Sequence, residues 1–540
     1  MLRAALVATP RPTAPMAEPP KAELPRRARP GSERSRQRPA ERARRADPAR
    51  RAAYTLLRAV DGGAYANLEL PKILRAQRLS GRDAAFATEL AYGAIRLRGR
   101  YDPIIAVAAD RPLSAIDAAV LDTLRLGAHQ VLAMRVPAHA AVAETVGLAR
   151  QVNGAGAAGF VNAVLRRVGE RSLTQWLDLV APAEGAAHPS QEALAVRESH
   201  PLWIVKAFEA ALLGHAAADR QSVQEQLRQL LAADNSSPRV ALAARPGLAE
   251  VGELLAAGAD PGRWAPTAAV LPGGDPGSLP AVREGRAAVQ DEGSQLVALA
   301  LAAAPFAPVA PVAPGARGAA AVAARTGRPA DEPEPQERWL DLCAGPGGKA
   351  GLLAALAAQH GVQLVANEIS EHRADLVRGT LAAVQRAARD QGRPVPEVRV
   401  GDGREAGELE PAAYDRVLVD APCTGLGALR RRPEARWRRT PADLAVLSRL
   451  QRELLAGALD AARVGGVVAY VTCSPHLAET VFAVDDVLRR RSDVERLDAR
   501  AVLVQVAPLL DAQLGPGPLV QLWPHRHGTD GMFLALLRRR

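Results

Sequence analysis

From residue 337 onward, short β-rich runs alternate with helix-like stretches, and this alternation restricts the fold more than any other feature. The runs are RWLDL (338–342), QLVANEI (363–369), EVRVGD (397–402), DRVLVDAP (415–422) and GGVVAYVTC (465–473). Between them lie stretches such as KAGLLAALAAQ (349–359) and the long run from Pro441 to Arg463. Strands joined through helix-length connections run parallel, because antiparallel neighbours need only a short turn. Crossovers of one hand then place the C-terminal strand ends on one edge. A doubly wound, mostly parallel α/β sheet is expected over 337–540, with any ligand at that edge.

The rest of the chain divides by pattern. In 48–175 apolar residues recur at helical spacing: Ala53, Leu56, Leu57 and Val60; Phe86, Leu90, Ala94 and Leu97; Leu121, Leu124, Ala128, Val131 and Leu132. They predict a bundle of several helices, one of them capped by Asp117. Residues 176–302 mix helical and turn-rich pieces, with VALAAR and RAAVQ as candidate strands. They read as a connector and a small α+β module. Residues 303–336 are almost entirely Ala, Pro, Gly, Arg and acids, the composition of a linker or insertion. Residues 1–47 are rich in Pro, Arg and Ala without an apolar period and read as a disordered basic arm.

The net charge of +11 suits a polyanion such as nucleic acid. Its location tempers that, since residues 1–50 hold 13 basic and 5 acidic side chains. No apolar run approaches the roughly 18 residues of a membrane span, and no membrane partner is expected. The opening MLRAALVATPRP is too short an apolar run for a secretory signal, and Glu18, Glu23 and Glu33 argue against a transit peptide. The three cysteines, Cys343, Cys423 and Cys473, are too few for a disulfide framework and point to a reducing compartment. A cytoplasmic monomer without a metal is expected.

Chemistry gathers at the strand ends. After RWLDL comes Cys343-Ala344-Gly345-Pro346-Gly347-Gly348-Lys349. Its glycines allow a tight turn and close approach of a ligand to a helix N-terminus. A plain strand-to-helix turn would look the same, and the phosphate-loop spacing is missing. The next strand ends at Glu368, placed to accept from ribose hydroxyls. Asp402 ends the third strand and could meet an adenine amino group, or simply shape Gly401-Asp402-Gly403. The fourth strand ends Asp420-Ala421-Pro422-Cys423 and the fifth Thr472-Cys473-Ser474. Each thiol alone could be a small buried hydrophobe; two thiols and a carboxylate on one edge form a more specific set. Carbon 5 of a cytosine becomes nucleophilic once a thiolate adds at carbon 6. A carboxyl group at ring nitrogen 3 assists that addition. Arg430, Arg431, Arg432 and Arg436 surround Trp437, as phosphate-neutralising cations around a stacking indole would, or as a solvated loop would.

At DLCAGPGGK, VDAPCTGLGALRRRPEARW and YVTCS the chain resembles the bacterial Sun (Fmu, RsmB) family of 16S ribosomal-RNA cytosine carbon-5 methyltransferases. VQDEGSQL (289–296) and PHRHGTDGMF (524–533) match further. ELAYGAIRLRGRYD and GFVNAVLRR resemble its NusB-like RNA-binding domain. The resemblance implies an all-α NusB-like bundle, a small α+β RNA-binding module at about 198–300 and a C-terminal class I, Rossmann-like methyltransferase. It also implies S-adenosylmethionine as cofactor and RNA as partner. On its terms Cys473 is the nucleophile, Cys423 assists release, and Asp420 contacts cytosine and cofactor. Residues Cys343 to Lys349, Glu368 and Asp402 would hold the cofactor. Glu368, Gly345, Ala350 and Pro475-His476 depart from the family's usual residues without removing a catalytic group. A tRNA or other ribosomal target, a DNA cytosine methyltransferase and a non-catalytic RNA-binding assembly factor are the competing readings.

Overall fold

The computed structural model describes residues 47–182, 190–216, 220–306 and 337–540. The expected basic arm, but for Asp47, and the insertion from 307 onward lie outside the described residues.

The first region is helical, from Pro48–Asp61 through Leu173–Val180. Asp47 opens it by accepting from Arg50 N, with Pro48 at the first helical position, where its missing N–H costs nothing. Asp117 caps Ala118–Leu132 through Ala119 N and Val120 N (2.9 and 3.2 Å). The predicted stripes face inward: Ala53, Leu56, Leu57, Val60, Leu90 and Ala94 share one core, and Leu97, Leu121, Leu124 and Ala128 a second.

After the helices Leu202–Ala216 and Arg220–Asp234 comes a small antiparallel sheet. It contains β1 (Val240–Ala244), β2 (Asp260–Pro261), β3 (Ala268–Leu271) and β4 (Ala287–Val289) in the order β2-β3-β1-β4. β1 and β4 are the two strands expected from VALAAR and RAAVQ.

The C-terminal sheet contains β5 (Arg338–Asp341), β6 (Gln363–Glu368), β7 (Glu397–Val400), β8 (Tyr414–Asp420) and β9 (Ala462–Thr472). These pair in parallel in the order β9-β8-β5-β6-β7. Three further strands extend it: β10 (Val494–Leu497), β11 (Val520–Gln521) and β12 (Phe533–Arg539). β12 runs antiparallel to β9 with Phe533 opposite Thr472, so the sheet is mixed. Sequence reading missed these strands; FLALL is a short apolar run whose period does not separate strand from buried helix. Chain order reverses between β5 and β8, and the C-terminal ends on both sides of that point face one crevice.

Candidate active site

The strand β5 runs into the glycine turn, and Gly347 caps the helix Gly348–Gln359 in the left-handed region (φ 111°). A Cβ on Gly347 would lie 2.8 Å from Thr380 Cβ, so glycine is required there by packing within the protein. A Cβ on Gly345 would meet Glu368 Oε2 at 2.4 Å. That carboxylate is buried and accepts from Gly345 N (3.0 Å) and Ser370 N (3.1 Å), while Arg373 lies 3.2 Å from it. Arg373 also donates to Gly345 O (2.8 Å). Thus Glu368 shapes the turn, Oε2 facing Gly345 and Arg373 and Oε1 accepting from Ser370.

Asp341 was not singled out from sequence. It is fully buried at the end of β5, and neither carboxyl oxygen has a hydrogen-bond partner. Burial, and then the charge of Asp420, push its pKa up to about 8. Cys343 is driven well above the ordinary thiol range by burial, which leaves it packing against the core rather than reacting. Open space around Gly348 at the helix N-terminus leaves room beside the turn for a ligand carrying hydroxyl and ammonium donors. S-adenosylmethionine has that donor set.

Across the crevice, Cys423 Sγ and Cys473 Sγ lie 3.4 Å apart, both half-buried. Ala421 N donates to Val471 O (2.9 Å), which aligns the ends of β8 and β9 and so brings the thiols together. The pair is asymmetric. Cys473 is pulled below the ordinary thiol value, first by the hydrogen bond from Cys423 and then by the cations Arg432 and Lys349. Cys423 is pushed well above it, first by the hydrogen bond it shares with Cys473 and then by burial, with Glu479 and Asp420 adding negative charge. Lys349 Nζ sits 2.8 Å from Asp420 Oδ2. Burial opposes its charge, but Asp420 outweighs burial and its pKa is raised.

Glu479 is the second residue that sequence reading passed over. It is fully buried and accepts from Thr424 N (2.8 Å), Thr424 Oγ1 (2.5 Å) and Gln451 Nε2 (3.1 Å). Ser474 Oγ reaches Thr424 Oγ1 at 3.2 Å. The two thiol-bearing loops are therefore tied together by Glu479. The available signal was a lone carboxylate six residues after Cys473.

Two expectations need revision. The arginine cluster with Trp437 was expected to face RNA, but most of it faces inward. Arg430 and Arg431 pair with Asp530 and Asp291 (Arg431 Nη2–Asp291 Oδ2, 2.7 Å; Arg430 Nη2–Asp530 Oδ1, 3.2 Å). Arg436 is fully buried, and Trp437 Nε1 donates to Ile95 O (2.7 Å). Their carbonyl and carboxylate partners take the place of phosphates. Arg432 alone of the five is exposed. Asp402 was read either as an adenine contact or as a residue that shapes its own turn, and its pairing favours the turn. Its Oδ1 accepts from Arg404 N (3.0 Å), and both oxygens meet Arg404 Nε (3.0 Å each). That pairing is the first cause of its lowered pKa. Among the described residues no cluster of three or more His, Cys, Asp or Glu could hold a metal ion, and no helix is long and apolar enough to cross a membrane.

Comparison with known proteins agrees with this geometry. Residues 330–538 match the family described as 16S rRNA methyltransferase RsmB/F, and residues 47–170 match the NusB family. The protein Rv1407 of Mycobacterium tuberculosis (strain H37Rv) is 51% identical over 500 residues, covering 92% of this chain and 98% of its own. Ribosomal RNA small subunit methyltransferase B of Pseudomonas putida (strain KT2440) is 30% identical over 500 residues, covering 91% and 98%. A crystal structure of the protein PH0851 superposes with a TM-score of 0.67 at 20% identity, over 91% of this chain and 98% of that one, which shows a shared fold.

Proposed function

Because the chain belongs to the RsmB/F family of S-adenosylmethionine-dependent RNA cytosine-5 methyltransferases, with an N-terminal NusB domain, we propose that its target is a cytosine of 16S ribosomal RNA in the cytoplasm. Cys473 is the nucleophile and Cys423 assists its release. The observation that carries this reading is the thiol pair 3.4 Å apart at the ends of β8 and β9, with the cations Arg432 and Lys349 favouring a thiolate at Cys473.

Residues Cys343 to Lys349, with Glu368, would hold S-adenosylmethionine, Asp420 flanking it and Asp402 shaping the neighbouring turn. The cofactor supplies a methyl group activated on a sulfonium. The Cys473 thiolate adds to carbon 6 of the cytosine, and the electron density moved into the ring makes carbon 5 the nucleophile. The Asp420–Lys349 pair offers a hydrogen bond and a proton toward ring nitrogen 3 during that addition. After methylation the carbon 5 proton passes to water, its electron pair restores the carbon 5–carbon 6 double bond, and the proton lent to ring nitrogen 3 returns to the Asp420–Lys349 pair. The carbon 6–sulfur bond breaks, and Cys473 leaves as a thiolate that accepts the Cys423 S–H hydrogen bond.

Bisulfite sequencing of total RNA from a deletion strain tests the target. One 16S cytosine should lose its protection and regain it on complementation. Loss confined to a tRNA or to 23S rRNA would overturn the 16S reading and leave the chemistry standing.

A further inference from the structure

The segment that carries Cys423 is held from within the methyltransferase domain, where Gly427 N donates to Cys473 O (2.9 Å) and Gly531 N to Gly427 O (2.8 Å), and also from outside it. Leu426 and Leu429 are buried in a core with Ile204, Val205, Leu227 and Leu230 of the preceding helices. Seven residues further on, Arg436 is fully buried. Nη1 donates to Arg96 O (3.2 Å), Ser199 O (2.9 Å) and Asn235 Oδ1 (2.9 Å), and Nη2 to Asp234 O (3.0 Å). Only its Nε lacks a partner. Ala66 N donates to Glu434 Oε1 (3.3 Å), Arg96 Nη2 to Arg430 O (3.3 Å) and Arg438 Nη2 to Val60 O (2.7 Å).

A buried guanidinium is tolerated where its donors are met, and a planar fork meets several acceptors in one geometry. Here all four acceptors lie between residues 96 and 235. At the other end Glu479 grips Thr424, the neighbour of Cys423. The loop is therefore held beside Cys423 by Glu479, just beyond β9, along its middle by Cys473 O and Asp530, and at its far end by the N-terminal helices at Arg436.

We propose that Arg436 is a positioning residue for product release: by locking residues 424–439 onto the NusB-type and adjoining helices, it keeps the Cys423 thiol within hydrogen-bonding reach of Cys473. The proposal rests on the reading that Cys423 assists release. When the carbon 6–sulfur bond breaks, Cys473 takes the bonding pair and the Cys423 S–H stabilises it. A displaced Cys423 leaves that sulfur without its donor, so the RNA adduct persists. The N-terminal helices thus act in the chemical cycle as well as in RNA recognition.

The test uses the full-length chain and four proteins: wild type, Cys423→Ala, Arg436→Lys and Asn235→Ala. Arg436→Lys keeps the charge and loses the fork. Asn235→Ala removes one acceptor from the far side and leaves the loop sequence intact, so it decides the matter should Arg436→Lys fail to fold. The probe is an unmodified small-subunit ribosomal-RNA transcript with methyl-labelled S-adenosylmethionine. Single-turnover methyl transfer is followed beside the fraction of enzyme in a denaturant-resistant, ribonuclease-sensitive adduct. Methyl transfer should stay within about threefold of wild type while release slows about tenfold or more and adduct accumulates. Wild-type adduct levels in the folded variants, or equal loss in both steps, would overturn the proposal, equal loss being what general loosening produces. Absence of adduct with Cys423→Ala would instead sink the reading of Cys423 itself.

Discussion

The cofactor turn and the thiol loop face each other across one sheet edge and are built in opposite ways. The turn is held by near neighbours: Gly345 meets Glu368 over 23 positions, and Asn367 Nδ2 ties Leu342 O to Gly401 O over 25 and 34. The thiol loop is held by distant ones: Arg436 meets Arg96 over 340 positions, Trp437 meets Ile95 over 342, and Arg431 meets Asp291 over 140. Substitutions in the turn should therefore change cofactor affinity and little else. Substitutions in the loop should change the fate of bound RNA and leave cofactor affinity alone.

The largest effect tests the loop. With Cys473→Ala no bond to carbon 6 forms, and methylation should fall at least about a thousandfold, without adduct and with unchanged S-adenosylmethionine affinity. With Cys423→Ala the adduct should appear as a gel band resistant to denaturant and removed by ribonuclease. A band in the Cys473 variant and none in the Cys423 variant would exchange the two roles.

The turn should answer differently. Gly347→Ala places a side chain in the left-handed region and against Thr380. Strain of that kind costs about 1–3 kcal/mol, so cofactor affinity should fall about tenfold by equilibrium dialysis while adduct chemistry at saturating cofactor persists. Adding Thr380→Gly, which removes the Cβ nearest the new side chain, should recover the contact part of the loss and leave the backbone part. Full recovery would mean that φ is not the constraint.

This contrast also marks what could be read from the sequence. The parallel strands, the glycine turn, Glu368 and the two thiols were legible because each is encoded by local period or spacing. The same route failed wherever a residue's partner is remote. Arg436 and Trp437 look like a basic, aromatic RNA patch until Arg96, Ser199 and Ile95 supply their acceptors. Asp291 and Asp530 stood out only as parts of matching motifs; their joint grip on Arg431, with Asp530 N donating to Asp291 Oδ1 (2.9 Å), gives those motifs a structural reason. Asp341 carried no local signal and Glu479 only its spacing from Cys473, since one buried carboxylate looks like any other until its neighbours are known.

Asp341 provides a pH test on the turn side. Its carboxyl is raised to about 8 by burial and by Asp420, against about 4 in an unfolded chain. The folded chain keeps a proton that the unfolded chain releases over this window, so stability falls as pH rises through it. Asp341→Asn stays neutral and removes that fall. Without cofactor, its melting temperature should exceed that of wild type near pH 8 by roughly 5 °C or more and converge with it near pH 4. Parallel curves would mean that Lys349 keeps Asp341 ionised in the folded chain.

The smallest effect concerns Asp402, where the local reading and the structure disagree about the turn itself. An acceptor for an adenine amino group needs a free carboxylate oxygen facing the crevice. Asp402 instead caps Gly403–Glu405 and grips the guanidinium of Arg404, which also reaches Glu453 (3.3 Å). Asp402→Ala removes the cap and the ion pair together. A lost cap costs about 1 kcal/mol, and a surface ion pair contributes less than that. The variant should melt slightly lower and bind S-adenosylmethionine within about fivefold of wild type, through a loosened turn alone. Asp402→Asn, which keeps a capping oxygen, should recover the stability. A direct adenine contact would reverse the order of the two readouts. Affinity would then fall about a hundredfold in the Ala variant while the melting temperature barely moved, since a buried hydrogen bond to a charged acceptor contributes about 1.5–3 kcal/mol to binding and little to folding without ligand. Measuring both quantities on the two variants decides whether the third strand end belongs to the cofactor or to the turn that frames it.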